Sequence, residues 1–393
     1  MTSIISDKRL NAIPLSEPAI IGNEWKYIKE CLDTGWVSSV GSYVNRFEKM
    51  VAEYVGCEYG IAVVNGTSAL HLSLLVCDVK SGDEVIVPTL TFVATANVVR
   101  YCGADPVFID CDQETLCLDV EKLKLFLEME CTRKNDGYTY NMVSGRRIKA
   151  ILVVHIFGHP VEMDDVIELC QLYNIDIVED ATESLGSEYK GKKTCSFGKL
   201  ACLSFNGNKI ITTGGGGMVL TNDEELARRV KHLSTQARID PIEYEHNEIG
   251  YNYRLTNIQA AMGVAQMESL DKFIATKRKN ALRYRNLLSN SGCLEFLWEK
   301  PWVMSNFWFY TIKVSTLHKR ALIDYLLSNN IQVRPMWKPI HTLSMYRDCQ
   351  AYRVESALNV YDTALNLPCS IGIKMEEIEF TVERIKSYFF SRG

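Results

Sequence analysis

Ser204-Phe205-Asn206-Gly207-Asn208-Lys209-Ile210-Ile211-Thr212-Thr213-Gly214-Gly215-Gly216-Gly217 sets one lysine between two apolar runs. The first run, 200–204, leads in; the second, 218–220, leads out to Thr221-Asn222-Asp223. Both have the length of buried strands, so Lys209 lies in a loop that joins two strands beside a glycine run. That placement suits reaction with a carbonyl. A free lysine, with a pKa of about 10.4, is almost wholly protonated at neutral pH, and burial or a nearby cation releases the neutral amine that Schiff-base formation needs. Taken alone, the same residues also describe a surface lysine in a glycine hairpin.

Upstream, strand and helix signals alternate. Short apolar runs at 61–64, 84–87, 105–110, 148–156 and 175–178 are interleaved with helical patterns at 43–55, 67–76, 92–101, 120–129 and 164–173. The unbroken run 148–156 is what a central parallel strand needs when both of its faces are covered. The alternation predicts an open α/β sheet with ligands at the carboxyl ends of its strands. Residues 24–32 read as another helix, ending at Asp33-Thr34-Gly35, and 131–147 as an aperiodic surface excursion. Beyond Leu255 the pattern is helical to about 289, with a break expected near 272–275. A smaller unit follows: strand 307–314, helix 317–328, strand 331–334, and a last helix, 375–390. Ile378, Val382, Ile385 and Phe389 share one face of that helix, which is expected to pack on the small sheet.

Composition narrows the function. A chain of 393 residues, 47% apolar and 23% charged, has material for one large domain and a smaller one. A net charge of −5 argues against binding nucleic acid by bulk electrostatics. The thirteen cysteines are odd in number and scattered without a C-x-x-C pair, which predicts reduced, mostly buried thiols and no metal site. Met1-Thr-Ser-Ile-Ile-Ser-Asp-Lys-Arg lacks the apolar core of a secretion leader, and no apolar run reaches the ~18 residues of a membrane span. A soluble, cytoplasmic protein is expected.

Two further clusters carry chemistry. Gly66-Thr67-Ser68 follows a strand and opens a helix, where free N–H groups and the helix dipole favour a phosphate; Ser and Thr are equally ordinary as caps. Glu179-Asp180 ends the strand 175–178. Asp180 either caps the turn Ala181-Thr-Glu-Ser, with Glu183 as its capping-box partner, or faces a cationic ring nitrogen, where each charge stabilises the other.

Five motifs in order now resemble one family: Asn65-Gly-Thr-Ser-Ala-Leu, Pro88-Thr-Leu-Thr-Phe92-Val-Ala-Thr-Ala-Asn97, Glu179-Asp-Ala-Thr-Glu-Ser-Leu-Gly186, Ser204-Phe-Asn-Gly-Asn-Lys209 and Tyr251-Asn252-Tyr-Arg-Leu-Thr-Asn-Ile-Gln-Ala-Ala261. They are similar to those of the DegT/DnrJ-type sugar aminotransferases, pyridoxal 5′-phosphate (PLP) enzymes with the aspartate aminotransferase-like fold (PLP fold type I). The resemblance implies a large PLP-binding domain over 1–265, with a mainly parallel sheet, and a smaller C-terminal α/β domain over 266–393. It implies that Lys209 forms the Schiff base with PLP, that Asp180 holds the pyridine nitrogen protonated, and that Phe92 stacks on the ring. Gly66, Thr67, Ser68 and Ser204 would hold the phosphate, and Asn252 would reach it from the second subunit of a homodimer. Glu183 stands where many relatives have Gln, beside the phenolic oxygen, ready to accept a hydrogen bond from it or from a substrate hydroxyl. Lys209 also separates this chain from the family's sugar dehydratases, which carry His there.

The implied reaction moves an amino group from glutamate, leaving 2-oxoglutarate, to C4 of a nucleotide-linked 4-keto-6-deoxy sugar. Trp36, Val37 and Ser38 match the family's segment over the sugar; Arg334, Lys338 and His341 match a segment near the nucleotide's diphosphate and suit it electrostatically. The wording of the motifs is closest to enzymes of bacillosamine and legionaminic acid synthesis, which favours a UDP-linked 4-keto-6-deoxy-N-acetylglucosamine over a GDP form; GDP-perosamine and dTDP-sugar types are the alternatives. Two departures stand out: Cys195 where relatives have Gly, and Lys199 where they have Asp. Rival readings are a nucleotide-binding protein without PLP, for which neither G-x-x-x-x-G-K-[ST] nor G-x-G-x-x-G occurs in place, and a PLP-fold regulator without turnover.

Overall fold

The computed structural model describes residues 12–240, 242–289 and 292–390, so the N-terminal stretch read for a leader lies outside it. Helices α1 (Glu24–Thr34) and α2 (Ser42–Val55) lead to β1 (Tyr59–Val63), α3 (Gly66–Val76), β2 (Glu84–Pro88), α4 (Ala94–Tyr101), β3 (Asp105–Ile109) and α5 (Val120–Glu130). Next come β4 (Cys131–Arg133), β5 (Thr139–Asn141), β6 (Arg147–Val154), α6 (Met163–Tyr173), β7 (Asp176–Asp180), β8 (Leu200–Ser204), β9 (Gly217–Thr221) and α7 (Glu224–Ser234). Two helices, α8 (Asn257–Met267) and α9 (Leu270–Leu288), precede β10 (Leu294–Phe296), β11 (Tyr310–Val314), α10 (Thr316–Ser328) and β12 (Arg334–Pro335). The chain closes with β13 (Ala351–Tyr352), α11 (Glu355–Thr363), β14 (Ala364–Leu367) and α12 (Met375–Phe390).

The large sheet runs β1-β9-β8-β7-β6-β2-β3-β13. Along this path every pair from β8 to β13 is parallel, and β9 is antiparallel to both of its neighbours. The run read as a central strand is β6, between β7 and β2. Its alternate residues serve two cores, Ile151 and Val153 on one face, Ala150 and Leu152 on the other, as the two-residue period of a doubly covered strand requires. The carboxyl ends of β2, β7 and β8 thereby deliver Thr89, Asp180 and Ser204 to one edge.

The polar stretch 131–147 is not a loose excursion. It folds into the β4–β5 hairpin, which pairs antiparallel with β6. Thr139 and Asn141 are fully buried there, and Asn141 donates to Glu84 Oε2 at 2.8 Å; satisfied polar side chains replace the apolar ones that a strand signal needs. The break in the long helix falls at Glu268–Ser269 rather than at 272–275. Glu268 is drawn toward the first helices, accepting from Tyr27 Oη at 2.8 Å, Arg46 at 2.9 Å and Asn23 at 2.8 Å. Of the expected strand 331–334 only Arg334 joins the second sheet, in the two-residue β12, and the order of that sheet is β10-β11-β14-β12, while Ile331 bridges Ile13. Helix α12 buries Ile378, Val382 and Ile385, with α9 and α10 as its principal partners in place of the sheet.

The C-terminal part returns to the large sheet at β13, which pairs with β3. Just past β3, the buried carboxylate of Asp110 accepts from Ser356 N and Ala357 N, both at 2.8 Å, and so caps α11. Lys122 Nζ lies 2.6 Å from the same carboxylate. All thirteen cysteines are free and ten are buried, as the scatter suggested. Among the described residues no helix is long and apolar enough to cross a membrane.

Candidate active site

The glycine run allows strand β9 to pass close beneath the turn that opens α3. A Cβ on Gly217 would lie 2.5 Å from the carbonyl of Asn65, and one on Gly66 would lie 2.8 Å from Ser204 Cβ. Asn65 caps α3 by accepting from Ser68 N at 2.8 Å. The helix N-terminus, with the unpaired N–H groups of a first turn, therefore faces Ser204 across a cup that no side chain fills. The cup opens into a cavity of about 710 Å³ lined by, among others, Thr67, Asp180, Glu183, Lys209, Trp308 and Arg334, within the range of small-molecule sites.

Asp180, at the end of β7, is 3% exposed. Its Oδ2 accepts from Thr95 Oγ1 and its Oδ1 from Thr182 Oγ1, both at 2.7 Å. The cap role is thus partly real, since Thr182 N also approaches Oδ1 at 3.3 Å, yet the carboxylate borders the cavity. Glu183 is not a capping-box partner. Its Oε2 accepts from Phe157 N at 2.8 Å, and its Oε1 lies 3.5 Å from Lys209 Nζ. Burial raises the Glu183 carboxyl to about 7, against the lowering effects of Lys209 and the Phe157 N–H.

Lys209 follows the turn 206–209, closed by its own N–H to Asn206 O at 3.0 Å. Thr212 anchors the far side of the loop, donating to Phe205 O at 3.2 Å and accepting from Gly214 N at 2.9 Å. The lysine is neither on the surface nor sealed in: its side chain is 13% exposed, and that fraction faces the cavity.

Sequence reasoning missed the opposite wall. Trp308, Phe309 and Trp337 line the cavity from the C-terminal part, and Lys209 Nζ sits 4.0 Å from the centroid of the Trp308 ring. Behind them Phe157 packs against Trp337 at 4.9 Å and Phe309 at 5.4 Å. Phe92 joins this wall at 5.8 Å from Trp337 and is 53% exposed, so it is no core residue. The available signal was the aromatic run Phe307-Trp308-Phe309-Tyr310, which read only as a strand.

The other expected residues are dispersed. Ser68 is buried beneath the cup and does not line the cavity. Trp36, Val37 and Ser38 are exposed and lie outside this cavity's lining, and Trp36 borders a separate hollow; Asn257 holds their loop, donating from Nδ2 to Trp36 O at 2.8 Å and from N to Ser38 O at 2.6 Å. Arg334 lines the cavity, and Lys338 is exposed outside its lining. His341 Nδ1 is bonded to Thr89 Oγ1 at 2.6 Å, and burial lowers the pKa of its ring. Asn252 is exposed, outside this chain's cavity, on a segment that bridges back to Thr235. Cys195 keeps a left-handed backbone, φ +80°, its N–H bonded to Glu179 at 2.8 Å, and Lys199 pairs with Asp176 at 3.1 Å.

The model of the DegT/DnrJ/EryC1/StrS aminotransferase family matches residues 18–386. This chain belongs to that family. The GDP-perosamine synthase of Escherichia coli O157:H7 is 38% identical over 379 residues, covering 96% of this chain and 98% of its own length. The UDP-4-amino-4,6-dideoxy-N-acetyl-beta-L-altrosamine transaminase of Campylobacter jejuni subsp. jejuni serotype O:23/36 (strain 81-176) is 31% identical, covering 92% of each chain. Among solved structures, PseC of Helicobacter pylori, an aminotransferase involved in pseudoaminic acid biosynthesis, superposes with a TM-score of 0.87 at 27% identity, over 97% of this chain and all of its own. The expected family, fold and transaminase class therefore hold, and the DegT-family cofactor is PLP.

The residues present fit that cofactor. Gly66 and Gly217 leave room in the cup because they carry no side chain, and Asn208 Oδ1 is buried at the cavity's edge without a partner among the described residues. A lysine amine, a buried carboxylate and a phosphate-sized cup share one cavity. Bound there, PLP supplies an aldehyde that exchanges amines and a ring that takes up electrons.

Proposed function

We propose that the enzyme transfers the amino group of glutamate to C4 of a GDP-linked 4-keto-6-deoxy sugar, giving a product of the GDP-perosamine type. The observation that carries this reading is the junction in one cavity of Lys209, Asp180 and the Gly66–Ser204 cup. Lys209 tethers the cofactor and moves the proton, Asp180 faces the ring nitrogen, and Thr67 and Ser204 take the phosphate. The GDP nucleotide is supported by the perosamine synthase relative at 38% identity. The UDP-linked N-acetyl sugar favoured by the motifs is the second reading, supported by the Campylobacter transaminase at 31%. Arg334 at the cavity mouth suits the diphosphate of either.

The same reading makes the active unit a homodimer in the cytoplasm. Asn252, outside its own chain's cavity, lies where a second copy would have to bring it to a phosphate cup. The substrate test is a paired assay: glutamate with GDP- or UDP-linked 4-keto-6-deoxy sugar, followed by product mass. A GDP-amino sugar formed at least about tenfold faster is expected. The opposite preference would overturn the nucleotide assignment, and a purified protein that neither holds PLP nor takes it up would overturn the whole reading.

A further inference from the structure

We infer that Trp308 is a positioning residue: its ring face and the Glu183 carboxylate form a cradle that receives the Lys209 amine whenever the lysine is not bonded to cofactor. The inference rests on the reading of Lys209 as the cofactor-bearing lysine. Lys209 Nζ lies 4.0 Å from the Trp308 centroid and 3.5 Å from Glu183 Oε1. A ring face attracts an ammonium most when both are shielded from water, and Trp308 is 2% exposed.

Trp308 is held at three points, one on its ring and two on its backbone. Its Nε1 donates to Asn208 O at 2.6 Å, so it is tied to the residue preceding the lysine. Its carbonyl accepts from the fully buried Lys277 Nζ at 2.8 Å. Its N–H donates to Asn306 Oδ1 at 2.9 Å, and the Nδ2 of the same Asn306 donates to Glu183 O at 3.0 Å. Asn306 thus stitches one wall of the cradle to the other. Gly158 closes the back, where a Cβ would lie 1.9 Å from Asn306 Oδ1. With its N–H committed to Asn208, Trp308 offers only carbon to the amine and cannot take its proton. That task falls to Glu183 Oε1, whose carboxyl, raised to about 7 by burial, exists in both forms near neutrality. A proton passed from the ammonium to this oxygen leaves a neutral amine and a neutral acid.

This fixes what happens to a lysine released during turnover: it is caught at a set place, aimed back at the cavity, with its proton partner beside it. The test uses the full-length chain stripped of PLP and labelled with trinitrobenzenesulfonate, Lys209 being read by peptide mass. Trp308→Leu, which removes the face, should raise the Lys209 labelling rate at pH 7 by about threefold or more. Trp308→Phe, which keeps a face, should stay within about twofold of wild type. In the PLP-loaded enzyme Trp308→Leu should lower kcat about tenfold while KM for the keto sugar stays within about twofold. Should the leucine variant not fold, Trp308→Met fills the volume without a ring and must show the same rise. Wild-type labelling in a folded Leu or Met variant, or an equal rise in Trp308→Phe, overturns the inference. Because the labelling needs neither cofactor nor substrate, it can fail while the transaminase reading stands.

Discussion

Phe157 donates its backbone N–H to Glu183 Oε2 at 2.8 Å from a left-handed conformation, φ +55°. A bulky residue adopts that conformation at a cost of about 1–2 kcal/mol, and here it is locked by a fully buried ring among Trp308, Phe309 and Trp337. The strain has a local product. One carboxylate oxygen is occupied, and the other is turned to Lys209.

Glu183 should therefore leave a signature in the pH dependence of stability. Its folded pKa of about 7 lies above the ordinary carboxyl value of 4.5, so the unfolded chain releases the proton first. The stabilising contribution is full below about pH 4.5 and is lost as pH rises through 7, a span worth on the order of 3 kcal/mol. In the cofactor-free protein, Glu183→Gln should flatten the fall in urea-unfolding free energy between pH 5 and 8. Identical slopes for variant and wild type would show that the carboxyl titrates normally.

Asp180→Asn should keep PLP bound and reduce turnover by at least about 100-fold. The amide is nearly the same size, so the bonds from Thr95 and Thr182 can be rearranged; the charge that the proposed function sets opposite the ring nitrogen cannot be replaced. Activity within a few-fold of wild type would leave Asp180 as the cap of its turn.

Gly66→Ala tests the cup. The new methyl would sit 2.8 Å from Ser204 Cβ and 3.2 Å from Thr182 Cγ2, so strand β8 or the α3 turn has to move. Overpacking of this kind costs about 1–3 kcal/mol, and the PLP dissociation constant should rise about tenfold or more. Titration of the stripped protein with PLP reads this directly; unchanged affinity would place the phosphate elsewhere.

The proposed homodimer, with Asn252 completing the partner's site, predicts that two dead variants rescue each other. In refolded mixtures of Lys209→Ala and Asn252→Asp chains, random pairing makes half the dimers mixed, each with one intact site, so about one quarter of wild-type activity should return. Heterodimers that form without activity would assign Asn252 to its own chain or to no site.

What could be read in the sequence was whatever a short stretch encodes by itself. β6 declared itself by an unbroken apolar run, and Lys209 by the glycines that free its loop from side chains. The β4–β5 hairpin was hidden because Thr139 and Asn141 are buried with hydrogen bonds instead of hydrocarbon. Trp308 was hidden for another reason: it meets Lys209 only after 98 intervening positions have folded back, and Asn306, which joins it to Glu183, has no local pattern at all. The same holds for His341, whose partner, Thr89, follows β2.

The attachment of β13 and α11 to the end of β3 bears on how such a chain can be recombined. Residues beyond 265 look separable as a cassette, yet Asp110, far upstream, supplies the cap of α11, and Phe108–Ile109 supplies the strand partner of Ala351–Tyr352. A chimera that takes its C-terminal part from a relative inherits a helix whose cap it left behind, unless an equivalent acid follows β3. Crossovers placed to redesign the sugar pocket are therefore constrained by a position remote from it, and residues 108–110 have to travel with 351–357 as one inherited unit.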